Sequence, residues 1–209
     1  MRGLLKFILW VVVLAALIAG VLRILIFKLV QADSNDMVPT VAKGDWVAVY
    51  KGGTITQGDV VVCRHPNDPS RLIMLRVMAM AEDEVGMLGN RITVNGEPLH
   101  HEVEGTFKYY DQSERGEPFE YELSMEREMY AGHRFYVGVR KNSTRTEFPK
   151  KKVEAGLFLI GDNRNMDEDS REFGEVNPDN CIGTALFIVW PGPPNGDVLP
   201  SDRRFNIVD

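Results

Sequence analysis

Ser34 and Asp36 are residue types that could do chemistry together, and they stand two apart. On an extended chain such neighbours point to the same face, so a hydroxyl and a carboxylate share one side of the segment. A serine becomes a nucleophile only beside a base. The sequence offers Ser34 no base except an aspartate, which is ionised but weakly basic near pH 7 unless its pKa is raised. His65, His100, His101 and His133 follow no metal-ligand spacing and read as surface or strand residues. With no CxxC pair or Cys/His cluster, neither a structural zinc site nor any other metal or cofactor is expected. Cys63 and Cys181 each sit in an apolar run, and buried, unpaired thiols are expected in preference to a long-range disulfide.

The elements that must position these groups change character along the chain. Leu4 to Phe27 is predominantly apolar, with Lys6 and Arg23 as its only charges. As a helix rising ~1.5 Å per residue it would reach roughly 36 Å, enough to span a bilayer core. A cleavable secretory signal is the competing reading, but the run is long and no small-x-small site closes it, so a retained anchor is expected. Basic residues flank both ends, and charge alone does not orient the segment.

From Asp45 onward the period is that of strands: Trp46 to Tyr50, Asp59 to Cys63, Leu72 to Val77 and Arg91 to Val94. Gly52-Gly53, Gly58-Asp59, Pro66-Asn67-Asp68-Pro69 and the hairpin signal Asn95-Gly96 separate them. A more polar stretch follows, with strands expected at Phe119 to Leu123 and Phe135 to Val139 and a solvated loop at Lys150-Lys151-Lys152. Leu157 to Ile160 and Ala185 to Trp190 read as buried core strands, and the tail from Pro191 as Pro/Gly-rich loop. Met74, Met78, Met80 and Met87 read as core filling in preference to the lining of a flexible groove. The expected fold class is mostly β. The expected organisation is an anchor with its flanks at residues 1–30, a β core at 31–99 and 155–192, an inserted β subdomain at 100–154, and a tail at 193–209.

The chain has 209 residues, 44% of them hydrophobic, which suits an anchor and one folded body. The first thirty residues hold only basic charges (Arg2, Lys6, Arg23, Lys28), leaving 20 basic and 30 acidic side chains, a formal −10, for the body. That balance argues against nucleic-acid binding, which needs a cationic face.

Several blocks occur in a telling order: Met37-x-Pro39-Thr40 then Gly44-Asp45, Gly58-Asp59-Val60-Val61, Arg76-Val77, Gly161-Asp162-Asn163-Arg164 with Asp169-Ser170-Arg171, and Ile182-Gly183. Together they resemble the signature of type I signal peptidases, Ser/Lys membrane peptidases of β fold. The resemblance covers roughly 33–94 and 156–190, with the inserted region matching loosely. It implies a signal peptidase I-like β fold with one N-terminal transmembrane helix, the N-terminus in the cytoplasm and the body on the outer face. It also implies a serine nucleophile immediately before Met37 and a lysine base immediately before Arg76. Here Asp36 and Leu75 stand at those places. Where the family serine that helps to hold the lysine is expected, the chain has Asp167, and Asn165 replaces the Asp after Arg164. Ser34 matches the position whose hydroxyl assists the oxyanion, and Arg76, Asp162, Asp169 and Arg171 match ion-pairing positions of the scaffold.

A Ser/Lys dyad needs a desolvated lysine to deprotonate the serine. Leu75 accepts no proton and Asp36 has no hydroxyl, so catalysis by that route is not expected. Asp36 and Asp167 could share one proton or bind a cation, but solvated or backbone-bonded carboxylates are the preferred expectation. The resemblance thus implies a membrane protein that binds signal peptides or precursor proteins, with lipid and an active signal peptidase or a secretion or pilus complex as its other partners. The alternative is an active peptidase using Ser34 or the Asp36/Asp167 pair.

Overall fold

Apolar runs bounded by turn residues become strands because each can bury one or both faces while its backbone pairs with a neighbour. The computed structural model describes residues 2–88, 91–112, 117–140, 147–166, 168–196 and 202–208, without the side chains of 2, 4, 5, 15, 16, 19, 21–24 and 147. Asp167 lies outside the described residues. The order is α1 (Arg2–Ile26), β1 (Phe27–Gln31), β2 (Trp46–Tyr50), β3 (Val60–His65), β4 (Asp68–Met80), β5 (Glu84–Leu88), β6 (Arg91–Val94), β7 (Glu97–Pro98), β8 (His100–Gln112), β9 (Pro118–Tyr130), β10 (His133–Val139), β11 (Glu147–Lys152), β12 (Leu157–Ile160), α2 (Ser170–Phe173) and β13 (Cys181–Trp190). The fold is mostly β, as the alternation suggested. The 25-residue α1 runs directly into β1, and among the described residues no helix is long and apolar enough to cross a membrane.

Three antiparallel sheets form the body: β1-β2-β13-β3-β4-β12, β10-β9-β8 and β11-β5-β6-β7. One apolar cluster packs Val47, Val61, Leu75 and Leu157 of the six-stranded sheet with Met37 and Val41 of the loop before β2. A second joins Met78, Met87, Phe135 and Phe158 from all three sheets. Met78 and Met87 are buried, and Met74 and Met80 pack half-buried against the first cluster, so these methionines fill core. At Asn95-Gly96 both residues have positive φ (54° and 84°), the geometry that closes a two-residue hairpin between Val94 and Glu97.

Two expectations are corrected. Cys63 and Cys181 form a disulfide (S–S 2.02 Å) and are not free thiols. They lie 118 residues apart in sequence, but β13 inserts between β2 and β3 and sets them directly opposite each other. Lys150 to Lys152 belong to edge strand β11 and not to a loop, with Lys150 paired to Glu84 (3.0 Å) and Lys152 to Glu82 (2.7 Å). The tail returns to the sheet too: Phe205 N–H donates to the Ile188 carbonyl, Val208 is buried, and Arg203 forks onto buried Asp45 (2.5 and 2.8 Å).

Candidate functional site

The loop joining β1 to β2 carries Ser34, Asn35, Asp36 and Met37, then a cis Val38-Pro39 bond and Thr40. Hydrogen bonds from distant elements hold it. Asn163 donates its backbone N–H to the Asp36 carbonyl (2.9 Å) and its side-chain amide to the Asn35 carbonyl (3.1 Å) and the Tyr109 hydroxyl (2.8 Å). The Asn35 amide donates to Asp111 (2.8 Å) and its oxygen accepts from Lys43 N–H (3.0 Å). Thr40 donates its hydroxyl to Asp162 (2.5 Å). Gly161 passes so close that a Cβ there would stand 2.5 Å from the Asp36 carbonyl oxygen, which makes glycine the residue the crossing requires.

Asp162 is also the buried partner of Arg76. Arg76 donates Nε and Nη2 to its two carboxylate oxygens (2.8 Å each) and Nη1 to the Gly58 carbonyl (2.8 Å), with its guanidinium over the Phe135 ring. Arg164 forks onto buried Glu128 and donates Nε to the Gly161 carbonyl (3.1 Å). Asp169 caps α2 by accepting Arg171 N–H (2.9 Å), accepts Gly161 N–H (3.1 Å), and holds the Arg171 guanidinium, which also donates to the Arg164 and Met166 carbonyls. Ser170 accepts Leu159 N–H (2.9 Å) and serves as a backbone hydrogen-bonder.

The two replaced positions differ in kind. Leu75, on β4, is fully buried in the apolar cluster that also holds Met37, so the place of the expected base is dry. Asp36 is 6% exposed and its Oδ2 accepts the Ser34 hydroxyl at 2.5 Å. Burial pushes the Asp36 carboxyl up to about 6, with the carboxylates of Glu168, Asp169 and Asp33 adding to the rise and the Ser34 hydrogen bond opposing it. Glu168 is itself held below its ordinary range by the fork from Arg71 (2.5 and 2.9 Å). Ser34 and Met37 line a narrow cleft with Val30, Val62, Leu72 and Met74.

An acid whose folded pKa lies above its unfolded value of 3.8 favours the fold below pH 3.8 and progressively less as pH rises through about 6. At ~1.4 kcal/mol per unit, the penalty at neutral pH is about 3 kcal/mol. Asp36→Asn keeps an acceptor for Ser34 and removes the charge. Urea unfolding should show the variant about 1–3 kcal/mol more stable at pH 7.5 and little changed at pH 4.

The structure thus brings together Ser34, Asp36, Met37, Pro39, Arg76, Asp162, Arg164, Asp169 and Arg171 around one loop, and sets Leu75 beneath it. Tyr109, Glu128, Asn35 and Asn163 also build the site, although none of them stood out as a functional residue. Asn163 lies inside a motif block, whereas Tyr109 and Glu128 carry no local signal, because each meets the site only through a side chain far away in sequence, Asn163 and Arg164 respectively.

A mostly β body with a clamped Ser-x-Asp-Met loop and an Arg/Asp lattice has the makings of a peptidase scaffold. The chain matches the family described as signal peptidase, peptidase S26, over residues 4–190, and belongs to it. It is 28% identical to signal peptidase IB of Staphylococcus aureus (strain Mu50) over 193 residues, which are 87% of this chain and 88% of that protein. It is also 28% identical to signal peptidase I of Streptococcus pneumoniae serotype 4 over 180 residues, 81% of this chain and 85% of the relative.

Proposed function

We propose that this chain is a membrane-anchored member of its family that binds signal peptides or precursor proteins without cleaving them by a Ser/Lys route. It would act as a chaperone, a regulator of an active signal peptidase, or an assembly factor in a secretion or pilus complex. The observation that carries this is Leu75, buried in apolar core where the base is expected, beneath a loop and cleft that remain built. Strand β4 supports binding by strand addition. β3 takes one side of it, and β12 pairs only with Arg76–Met80, so Leu72–Leu75 keeps an edge without a paired strand among the described residues. An extended segment added there would lie beside the cleft and gain main-chain hydrogen bonds.

The anchor and orientation are part of the same proposal. α1 exposes Phe7, Leu9, Trp10, Leu14 and Leu17, side chains that water disfavours and lipid accepts. Past its end, Phe27, Leu29, Leu186, Phe187, Val189 and Phe205 line an apolar hollow at which the body would rest on the bilayer. The disulfide favours an oxidising compartment, hence the body outside and the N-terminus in the cytoplasm. Amide cleavage through Ser34, or through Asp36 with Asp167, is the weaker alternative. A carboxylate near pKa 6 is a far poorer base than a neutral lysine, and no hydroxyl stands at position 36.

The test is cleavage of a preprotein by the detergent-solubilised protein beside Asp36→Ala and the restored set Asp36→Ser, Leu75→Lys, Asp167→Ser. The natural protein should be silent yet bind the signal peptide, and the restored set should cleave. Cleavage by the natural protein that disappears in Asp36→Ala would overturn the proposal.

A further inference from the structure

Ser34 and Asp36 hold a relation that a purely binding site does not require. Ser34 is half-buried, lines the cleft, and its hydroxyl donates directly to Oδ2 of Asp36, a residue only 6% exposed. This is the nucleophile-and-base contact of covalent catalysis, made two residues before the position where the family serine is expected. We propose that Ser34, with Asp36 as its general base, accepts acyl groups from activated donors, namely aryl esters and thioesters of the shortest acids.

The donor class follows from the chemistry. In the first half the Ser34 Oγ–acyl bond forms and the bond from the acyl carbon to phenolate or thiolate breaks. The proton passes from Ser34 to Asp36 and then to the leaving group. In the second half Asp36 takes a proton from water, the resulting hydroxide attacks the acyl carbon, and Ser34 leaves with the proton restored. A weak base suffices here because the leaving group departs readily, which an amide nitrogen does not. The cleft beside Ser34 has a volume of only about 10 Å³ and its walls mix Gln31 and Asp33 with Val30, Leu72 and Met74, so it takes the shortest acyl groups, acetyl above all. The groups charged or titratable around Asp36 are Asp33, Glu168, Asp169 and Tyr109; burial first, and then the three carboxylates, raise the affinity of its own carboxyl for a proton. Its pKa of about 6 sets where the dyad becomes competent.

The experiment uses the solubilised protein with 4-nitrophenyl acetate. Nitrophenolate release is followed from pH 5 to 8, and the acylated residue is located by mass spectrometry after rapid acid quench. A fluorophosphonate probe is run in parallel. The expected result is an acetyl group, and in the parallel run the probe, on Ser34, with a rate about tenfold higher at pH 7 than at pH 5. Ser34→Ala should lose the label, and Asp36→Asn should slow it by about 100-fold or more and remove the pH step. Absence of label on Ser34 in the natural protein overturns the proposal, as does an Asp36→Asn variant that labels equally fast with the same pH profile. Signal-peptide binding measured on the natural protein in the same preparation separates this outcome from failure of the binding function: a protein that binds the peptide but takes no label on Ser34 overturns the acylation alone.

Discussion

Arg76→Met should destabilise the fold by about 3–5 kcal/mol, because it strips a buried carboxylate of its counter-charge. Arg76 and Asp162 are both fully buried, and their paired hydrogen bonds run between β4 and the turn after β12. Methionine fills much of the volume but supplies no donor, so among the described residues Asp162 would keep the Thr40 hydroxyl as its side-chain donor. Two further groups lose their partners. The Gly58 carbonyl loses its guanidinium donor, and the Phe135 ring loses the cation stacked 3.8 Å from its centre. The double variant Arg76→Met, Asp162→Leu should cost less than Arg76→Met alone, since no charge is then left stranded. Urea denaturation of the solubilised protein measures both. A single-variant loss below about 1 kcal/mol would mean that the pair is not desolvated as the structure places it. Because Asp162 also holds Thr40, the loop bearing Ser34 and Asp36 should loosen, and signal-peptide binding should weaken with stability.

The same pair illustrates what could be read from sequence and what could not. Arg76 and Asp162 were marked as ion-pairing positions by their motif blocks, and the strands around them by short apolar runs such as Val60 to Cys63 and Leu157 to Ile160. Local patterns of that sort survive folding because each strand buries its own apolar face. The losses came where a property depends on sheet order. Nothing near Cys63 or Cys181 says that β13 returns to lie between β2 and β3, so the disulfide was missed. β11 was hidden because an exposed edge strand reads as a charge run, its lysines answering Glu82 and Glu84 across space. The tail does run as loop, but its anchoring is invisible in the sequence because Arg203 finds its partner, Asp45, 158 residues away. At the site, the substitutions at 36 and 75 were legible as missing chemistry. Their physical state was not: that Leu75 is sealed in core and that Asp36 is a buried acid gripping Ser34 are facts of packing.

The second large effect belongs to the disulfide. Joining residues 118 apart constrains the unfolded chain strongly, and for a loop near 100 residues the chain-entropy model gives about 4–5 kcal/mol, a figure that varies with residual structure in the unfolded state. The bond also sits where it has most to hold, tying β13 to β3 in the middle of the six-stranded sheet. The double variant Cys63→Ala, Cys181→Ala should therefore lose about 4 kcal/mol in urea unfolding. The natural protein, unfolded and refolded in reductant, should fall to the stability of that variant, because both then lack the crosslink and carry small side chains at the two positions. Equal stability of variant and oxidised natural protein would remove the crosslink as a stabilising element. The same bond reports on compartment: thiols in the cytoplasm stay reduced, whereas those outside it oxidise. Alkylation of intact cells' protein before and after reduction should find both cysteines blocked until the reductant is added. Thiols already free in cells would place the body on the reducing side, and with it the cleft, away from the secreted chains it is proposed to bind.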